Sequence, residues 1–496
     1  MHATPHVLGL DAGTTGITVL AVDRHGATRA RASREFPQHF PQPGWVEHDA
    51  GEIWAAARAV LADLYASSDL APRDAIALGL TNQRETAVVW DRTTGEPVRR
   101  AIVWQDRRTT ELCAQWKRDG LEPLVKARTG LVLDPYFSAS KLRWWLDDGL
   151  DPRSCAFGTV DAWLLWKLSG HTVHATDPTN ASRTLLFDIH ARTWDDDLLR
   201  AFGLPRDWLP EVRPSAGVFG LVRGVPPLAD GLPIAGIAGD QQAALFGQCC
   251  FEAGDWKCTY GTGCFLVLQT GQTACRSNHG LLTTLGCDAR GAASFALEGA
   301  VFTAGAAVQW LRDGLGIVAD AAECERLAAT VPDTGGVYLV PAFTGLGAPH
   351  WQPEARGALV GLTRGTMRAH VCRAALEAMA YQTADVFDAM RADVQAAGLT
   401  SRWGALHVDG GAARNDALMQ FQADVLDLAV ERPREIETTA LGAAMLAGIG
   451  AGVWADASEL RTVRSVERRF TPQLGAARRR EHLDGWRKAV QRVLDA

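Results

Sequence analysis

The sequence predicts an α/β fold built from two similar domains, and three observations lead to it. Segments with strand-like and helix-like patterns alternate along the chain, which favours α/β layers over a helical bundle or an all-β sandwich. The 496 residues are enough for two or three domains. A strand, a loop of glycine and threonine, and a second strand occur at 6–22 and again at 255–269. The repeat predicts a duplicated domain.

The boundary between the two domains is expected within 247–254, after a helix-like segment and before the second hairpin. We therefore predict one domain at 1–250 and another at 251–455. Residues 456–496 are predicted to form a helical tail packed on the body, because Trp486, Val490 and Val493 recur at helical spacing.

The composition excludes several classes of protein. A formal net charge of −7 gives no general basic surface for nucleic acid, and the basic run at 478–480 is expected on a solvated helix face. No apolar stretch is long enough to cross a membrane, and no signal-like start is present, so we expect a cytoplasmic protein without an integral membrane segment. The ten cysteines show no zinc spacing and are expected to be reduced and buried.

The first hairpin carries a predicted phosphate-binding loop, with Asp11, Gly13, Thr14, Thr15 and Gly16 between two apolar strands. Gly13 lets backbone amides approach an anion, and the threonines add hydroxyl donors. A carboxylate would repel phosphate directly, so Asp11 is expected to face a hydrated Mg²⁺ on the phosphates. The alternative is an ordinary hairpin turn, because Asp, Gly and Thr are also turn formers.

A predicted buried strand at 233–238 is followed at once by Gly239, Asp240 and Gln241, where a helix is expected to begin. Open α/β sheets bind ligands at such strand ends. Asp240 has the chemistry to orient a hydroxyl and accept its proton during phosphoryl transfer, and Gln241 adds a second polar group. The alternative is that Asp240 only caps the helix.

The adjacent residues Arg84 and Glu85 lie between two predicted strands and suit a small polyol. Arg84 can donate to one hydroxyl and Glu85 can accept from another. Trp104 and Tyr136 are candidates for an aromatic surface over the carbon skeleton. The alternative is a lone surface ion pair and a core tryptophan.

Two weaker signals lie in the second half of the chain. Gly305 and Gln309 are four residues apart on one predicted helix face, a bare spot beside an amide where a flat base could lie. Gly411 follows a predicted strand, with Asn415 one turn on. Glycines between strand and helix are common structural devices, so only the agreement of these signals favours a ligand site.

Nine segments carry a resemblance over nearly the whole chain. In content and order they resemble the FGGY family of carbohydrate kinases, and within it the branch that phosphorylates glycerol: 43–49, 81–86, 102–105, 129–137, 158–161, 177–184, 236–242, 260–263 and 340–349. The resemblance implies two domains of the actin-like, ribonuclease H-like ATPase fold, with duplicated mixed-sheet cores and the site in the interdomain cleft.

The resemblance also implies ATP-dependent phosphorylation of glycerol to sn-glycerol 3-phosphate in glycerol catabolism, with Mg²⁺ and ATP as cofactors and Asp240 as the general base. It implies a homodimer or homotetramer. The polyol site that it implies consists of Arg84, Glu85, Trp104, Tyr136, Asp240, Gln241 and Phe265. The nucleotide site consists of Thr14, Thr15, Gly16, Thr262, Gly305, Gln309, Gly411 and Asn415, and Asp11 lies near the metal, through water.

The chain departs from the family pattern in the first loop. Family members usually have serine and, two residues later, arginine where this chain has Gly16 and Thr18, so a phosphate-facing cation is missing. Weaker ATP binding or slower transfer is expected, because threonine cannot bind phosphate bidentately. Two other functions stay open: a kinase of the same family for another small polyol or ketose, and a nucleotide-binding regulator without catalysis.

Overall fold

The structure, a computed structural model, describes residues 4–352, 354–399 and 403–495. The first half of the chain contains the strands β1 (His6–Ala12), β2 (Gly16–Val22), β3 (Thr28–Glu35), β4 (Glu47–His48), β5 (Ala75–Asn82), β6 (Val88–Asp91), β7 (Ala101–Ile102), β8 (Cys155–Gly158), β9 (Ala175–Thr176), β10 (Phe187–Asp188), β11 (Thr193–Trp194), β12 (Glu211–Val212), β13 (Ala216–Leu221) and β14 (Pro233–Gly239). Its helices are α1 (Ala50–Ala66), α2 (Thr110–Arg118), α3 (Glu122–Thr129), α4 (Ser138–Asp147), α5 (Val160–Leu168), α6 (Pro178–Ala181), α7 (Asp196–Phe202) and α8 (Asp240–Gly247).

The second half contains the strands β15 (Trp256–Tyr260), β16 (Cys264–Gly271), β17 (Leu282–Cys287), β18 (Ala293–Val301), β19 (Tyr338–Val340), β20 (Ala358–Val360), β21 (Leu406–Asp409), β22 (Val430–Pro433) and β23 (Val466–Phe470). Its helices are α9 (Gly305–Asp313), α10 (Ala321–Ala328), α11 (Arg368–Ala396), α12 (Asp416–Leu426), α13 (Thr438–Gly450), α14 (Ala457–Val463) and α15 (Ala476–Leu494).

Two large mixed sheets share one strand order when one of them is read from its other edge, except that the second sheet has one more strand, β17. The first is β13-β14-β5-β1-β2-β3, and the second is β17-β18-β16-β15-β21-β22-β23. In the first sheet the antiparallel strands β1, β2 and β3 are followed by β5 and β14, which run parallel to β1. In the second sheet β15, β16 and β18 take the antiparallel places, and β21 and β22 take the parallel ones. The predicted duplication of a mixed-sheet core is confirmed.

Helix α8, the last helix of the first half, and helix α13 of the second half each pack on the sheet of the other half. Helix α13 lies on β1, β5 and β14, while Leu245 of α8 packs with Val267 and Ala296 of the second sheet. The two helices cross with backbone against backbone, because a Cβ on Gly442 would lie 1.8 Å from the carbonyl oxygen of Ala243. Helices α8 and α13 therefore form a double layer between the sheets. The outer face of the first sheet packs mainly against α1 and α5, and the outer face of the second sheet packs mainly against α11.

The segment predicted as a helical tail contains a strand. Trp486, Val490 and Val493 are buried on α15 as predicted, but β23 pairs antiparallel with β22 at the edge of the second sheet. The prediction of a wholly helical tail was wrong because β23 carries three charged residues in a row, at 467–469, and its first four residues are exposed. An edge strand buries little, so its sequence lacks the alternation of a half-buried strand.

Three composition-based predictions have structural counterparts. All ten cysteines are free and buried. Arg478 and Arg480 are exposed on α15. Among the described residues, no helix is both long and apolar enough to cross a membrane.

Candidate active site

Three parallel strands of the first sheet end at one edge and bring predicted site residues together. Asp11 lies in β1 opposite Thr81 of β5, and Arg84 follows the end of β5. Asp240 is the first residue of α8, directly after β14. The carboxyl ends of neighbouring parallel strands are where open α/β sheets bind ligands. The three charged side chains therefore belong to one candidate site.

Asp240 is partly exposed, whereas Arg84 is buried. Its side chain is 29% exposed, and its Oδ1 lies 3.1 Å from Nε of Arg84. The same oxygen accepts a hydrogen bond from the backbone N–H of Gln241 at 2.7 Å. Gly239, not Asp240, is the N-cap residue of α8. The alternative of a simple cap therefore does not hold, and the carboxylate is open to a ligand.

Arg84 and Glu85 are buried, and each pairs with a residue other than its neighbour. Their own contact is long, 3.8 Å between Nε and Oε1, and the positive φ of Glu85, 61°, is uncommon for a residue with a side chain. Arg183 donates to Glu85 Oε1 at 2.6 Å. Arg84 donates to the two carboxylate oxygens of Glu298 at 2.5 and 3.1 Å. The surface ion pair considered as the alternative is excluded.

Trp104 and Tyr136 form an aromatic wall beside Arg84. Their ring centroids are 5.6 Å apart and nearly perpendicular. Burial raises the pKa of the Tyr136 phenol, so the hydroxyl stays protonated and able to donate. Trp104 Nε1 donates to Thr14 Oγ1 at 3.0 Å, which joins this wall to the first loop. Lys141 holds the backbone behind the wall by donating to the carbonyl oxygens of Tyr136 and its two neighbours.

The second sheet supplies the facing side of the site. Thr259 and Phe265 are partners in the β15–β16 register, and Lys257 lies two residues before Thr259 on the same face. Lys257 Nζ donates to Gln241 Oε1 at 2.5 Å and to Thr259 Oγ1 at 2.6 Å. With its oxygen occupied, Gln241 has its Nε2 group left to donate. Phe265 is half-buried on this face.

Asp11 has a carboxylate that a nearby cation would stabilise. Its Oδ1 is buried without a hydrogen-bond partner among the described residues. Burial, followed by the negative charges of Asp240 and Glu437, raises the pKa of Asp11 well above its usual range. A nearby Mg²⁺ would relieve both effects. The described residues hold no group of three or more metal-ligating side chains.

The first Gly/Thr loop is braced from the first sheet. Gln83 donates its backbone N–H to Ala12 O at 2.8 Å and its Nε2 to Gly13 O at 3.1 Å. Thr14 is half-buried and Thr15 is exposed. A Cβ on Gly16 would lie 2.7 Å from the Arg34 carbonyl oxygen, so the close approach of β3 requires this glycine.

The second Gly/Thr loop is fixed to the start of α9. Gly305 donates its N–H to Gly261 O at 3.0 Å, and Ala304 donates to Thr262 O at 2.8 Å. A Cβ on Gly305 would lie 2.6 Å from Gly261 O. The loop therefore lies close against Gly305, and the assignment of Gly305 to a nucleotide site stays a prediction. The side chains of Thr262 and Gln309 are exposed.

Gly411 has open space beside it, since a Cβ there would meet no atom within 4 Å. Asn415 is the N-cap of α12, with Oδ1 accepting from the backbone N–H of Leu418 at 2.8 Å. Its oxygen therefore has a structural partner.

Sequence reasoning missed Glu298, Arg183, Lys257 and Gln83. A signal existed for Glu298, because it is the one charged residue within the apolar strand β18. Arg183 and Gln83 lie in the segments 177–184 and 81–86, which carry the resemblance, but neither was given a role. Lys257 precedes the second Gly/Thr loop and is the charged residue of β15, a strand that is mostly buried.

Duplicated sheets with paired Gly/Thr loops and a central helix crossing define the class as the two-domain actin-like, ribonuclease H-like ATPase fold. Residues 6–247 match the N-terminal domain of the FGGY family of carbohydrate kinases, and residues 256–451 match the C-terminal domain. The chain belongs to this family.

Individual relatives agree with the family match. A glycerol kinase from Pseudomonas putida is 54% identical over 496 residues, covering 99% of this chain and 97% of that protein. A glycerol kinase from Shewanella pealeana is 53% identical, covering 98% and 99%. The crystal structure of Plasmodium falciparum glycerol kinase with ADP matches with a TM-score of 0.90 and 34% identity, over 99% of this chain and 98% of that one.

Proposed function

We propose that this protein transfers the terminal phosphoryl group of ATP to a terminal hydroxyl of glycerol, giving sn-glycerol 3-phosphate and ADP. The observation that carries the proposal is the pair of Asp240 and Arg84, a partly exposed carboxylate 3.1 Å from a buried guanidinium. Trp104 and Tyr136 lie beside this pair. Full-length similarity to proteins named glycerol kinase supports glycerol as the acceptor.

Asp240 acts as the general base in this proposal. It binds the attacking hydroxyl and accepts its proton as the new oxygen–phosphorus bond forms. Phosphoryl transfer needs little covalent chemistry from a protein, so positioning and charge stabilisation do most of the work. The base contributes about 10² to 10⁴ in rate.

The remaining polyol contacts follow from donor and acceptor chemistry. Arg84 and Gln241 Nε2 donate to substrate hydroxyls, and Glu85 accepts from one, because a carboxylate has room for further donors beside Arg183. Trp104, Tyr136 and Phe265 cover the carbon skeleton. A longer sugar would need the space that Trp104 and Phe265 occupy.

ATP is assigned to the two Gly/Thr loops and the open surface beyond them. Thr14, Thr15, Gly16 and Thr262 serve the phosphates, and Gly305, Gln309, Gly411 and Asn415 serve the rest of the nucleotide. Asp11 would hold Mg²⁺, through water, and the bound ion supplies neutralisation of phosphate charge.

The test is ADP release by the purified full-length protein with and without glycerol. We expect release that depends on glycerol, with glycerol giving the highest kcat/KM in a panel with propane-1,2-diol, erythritol, xylulose and gluconate. A larger substrate with a higher kcat/KM would assign the protein to another acceptor within the family. ADP binding without turnover on any acceptor would favour the noncatalytic regulator.

The cytoplasmic location and the homodimer or homotetramer stay predictions. Light scattering of the purified protein tests the second.

A further inference from the structure

Four buried charges form one cluster that joins the two halves of the chain. Glu298 lies on β18 in the second sheet, and Arg84, Glu85 and Arg183 belong to the first half. Glu298 accepts from both terminal nitrogens of Arg84 and, at 2.8 Å, from Nη2 of Arg183. Arg183 in turn donates to Glu85. We call these four residues the charge clasp.

The strand register of the second sheet places Glu298 on the face that is turned toward the first half of the chain. It pairs with Val267 of β16, which pairs with Lys257 of β15, so these side chains share one face of the second sheet. Val267 packs against Leu245 of α8, so this face is turned toward the helix that begins with Asp240. The glutamate thus approaches Arg84 from the side opposite to the first sheet.

The clasp balances its own charges away from water. All four side chains are at most 2% exposed. Burial alone would raise the pKa of Glu298, but Arg183 and Arg84 hold it at about 2, so the carboxylate is ionised. Two arginines and two glutamates cancel, and the loss of one partner leaves a buried charge unpaired.

The clasp also determines which part of Arg84 faces Asp240. Glu298 accepts from both terminal nitrogens of the guanidinium, which also contact Gln242 and Tyr136, and Nε lies 3.1 Å from Asp240. Arg183 Nη1 is buried and has no partner among the described residues. Native proteins rarely leave such a group without an acceptor, so this nitrogen is open to a water or a ligand hydroxyl.

We propose that Glu298 is a positioning residue of the polyol site, which fixes the orientation of Arg84 toward Asp240 and, through Arg183, the orientation of Glu85. This inference rests on the proposed function and deepens it. The polyol pocket then depends on both halves of the chain, because a residue of the second sheet orients the arginine and the glutamate of the first.

The test compares Glu298→Gln with the wild-type protein. Glutamine keeps the shape of the side chain, and its oxygen can still accept from both arginines, as Glu298 Oε1 does. The substitution removes the negative charge and places an NH₂ group where Oε2 accepts from Arg84 Nη1, so that this guanidinium nitrogen loses that acceptor. Hydrogen bonds to charged groups are among the strong ones in proteins. We expect kcat/KM for glycerol to fall about ten- to a hundredfold, with a higher glycerol KM and a lower kcat, while the KM for ATP stays within twofold.

Asp393→Asn is the matched control. Asp393 is a fully buried carboxylate on α11 of the same half, and it accepts from Ser277 Oγ, from the backbone N–H of Asn278 and from the His279 ring. We expect this variant to lose thermal stability and to keep the wild-type glycerol KM. A purely structural role of Glu298 would make the two variants alike.

Arg183→Lys provides a second variant in case Glu298→Gln does not fold. Lysine keeps the charge but cannot reach both glutamates as the guanidinium does, so the glycerol KM should again rise about tenfold. An unchanged glycerol KM and kcat in a folded Glu298→Gln or Arg183→Lys protein overturns the inference and leaves the proposed function intact. A wild-type protein without glycerol-dependent turnover refutes both.

Discussion

Replacement of Asp240 by asparagine tests the base directly, because it removes a charge and almost no volume. The asparagine oxygen can still accept from the backbone N–H of Gln241 and still face Nε of Arg84, which now lie 2.7 and 3.1 Å from Oδ1. The side chain is 29% exposed, so a polar neutral group is tolerated there. Arg84 keeps both of its contacts to Glu298. The substitution therefore affects proton acceptance far more than packing.

The expected loss follows from the role of a general base. Without a group that accepts the hydroxyl proton, kcat should fall by about 10² to 10⁴. With 1.36 kcal/mol for each factor of ten, this loss raises the barrier by about 2.7 to 5.4 kcal/mol. The glycerol KM should change much less, because Arg84, Glu85 and the aromatic wall stay in place.

The assay is steady-state ADP release at saturating ATP and glycerol, with the melting temperature measured on the same sample. Asp195→Asn is the control, because Asp195 caps α7 through the backbone N–H groups of Asp197 and Leu198 and is not part of the site. The reasoning is refuted if Asp240→Asn keeps kcat within threefold of wild type. It is also refuted if Asp195→Asn loses activity to the same extent.

Three further predictions concern the loops and the wall. Thr18 hydrogen-bonds Ser33 at 3.0 Å and lies opposite Asp11 in the sheet. Thr18→Arg should therefore place a bidentate cation near the phosphates and lower the ATP KM or raise kcat. Kinetics identical to wild type would refute the prediction that a phosphate-facing cation is missing. Trp104→Phe deletes the hydrogen bond that Trp104 Nε1 donates to Thr14. Such a bond contributes about 0.5 to 1.5 kcal/mol, so the ATP KM should rise about two- to tenfold. An unaltered ATP KM contradicts this prediction. Burial lowers the pKa of Lys141 from 10.5 to about 8. Between pH 8 and pH 10, Lys141 is protonated in the unfolded chain and deprotonated in the folded chain. The free energy of unfolding therefore rises with pH over this range, by at most about 1.4 kcal/mol per pH unit. Melting curves should show this rise in wild type relative to Lys141→Met, and a constant difference would speak against it.

The parts that sequence could predict are those fixed by local pattern. The two hairpins, the strand before Asp240 and the helix after it follow from apolar alternation interrupted by glycine and threonine. Arg84 and Asp240 meet because β5 and β14 run parallel side by side. Trp104 and Tyr136 were chosen for their chemistry, and the contact of Tyr136 with Arg84 and of Trp104 with Tyr136 agrees with that choice.

The parts that sequence could not predict depend on register and on contacts between the halves. Glu298 reaches Arg84 across 214 residues of chain, and no local pattern specifies which face of β18 meets the first half. The same holds for Lys257 on β15 and Gln241 on α8, which come from different halves of the chain. Gly305 shows a second case, since a missing side chain signals close approach without telling whether a ligand or a loop approaches. Only the position of such a glycine in the fold tells whether a loop lies against it.

The exchange of covering helices between the sheets has a consequence for how the chain can be divided. Gly9 and Gly79 on the first sheet lie so close to α13 that added Cβ atoms would stand 2.0 and 1.9 Å from its carbonyl oxygens. A fragment ending near residue 250 would leave that glycine-lined surface bare, and a fragment beginning there would lack α8 over its own sheet. Neither fragment contains the helix that covers its own sheet. We therefore expect the native core to form when the two fragments are co-expressed, and not when either fragment is produced alone.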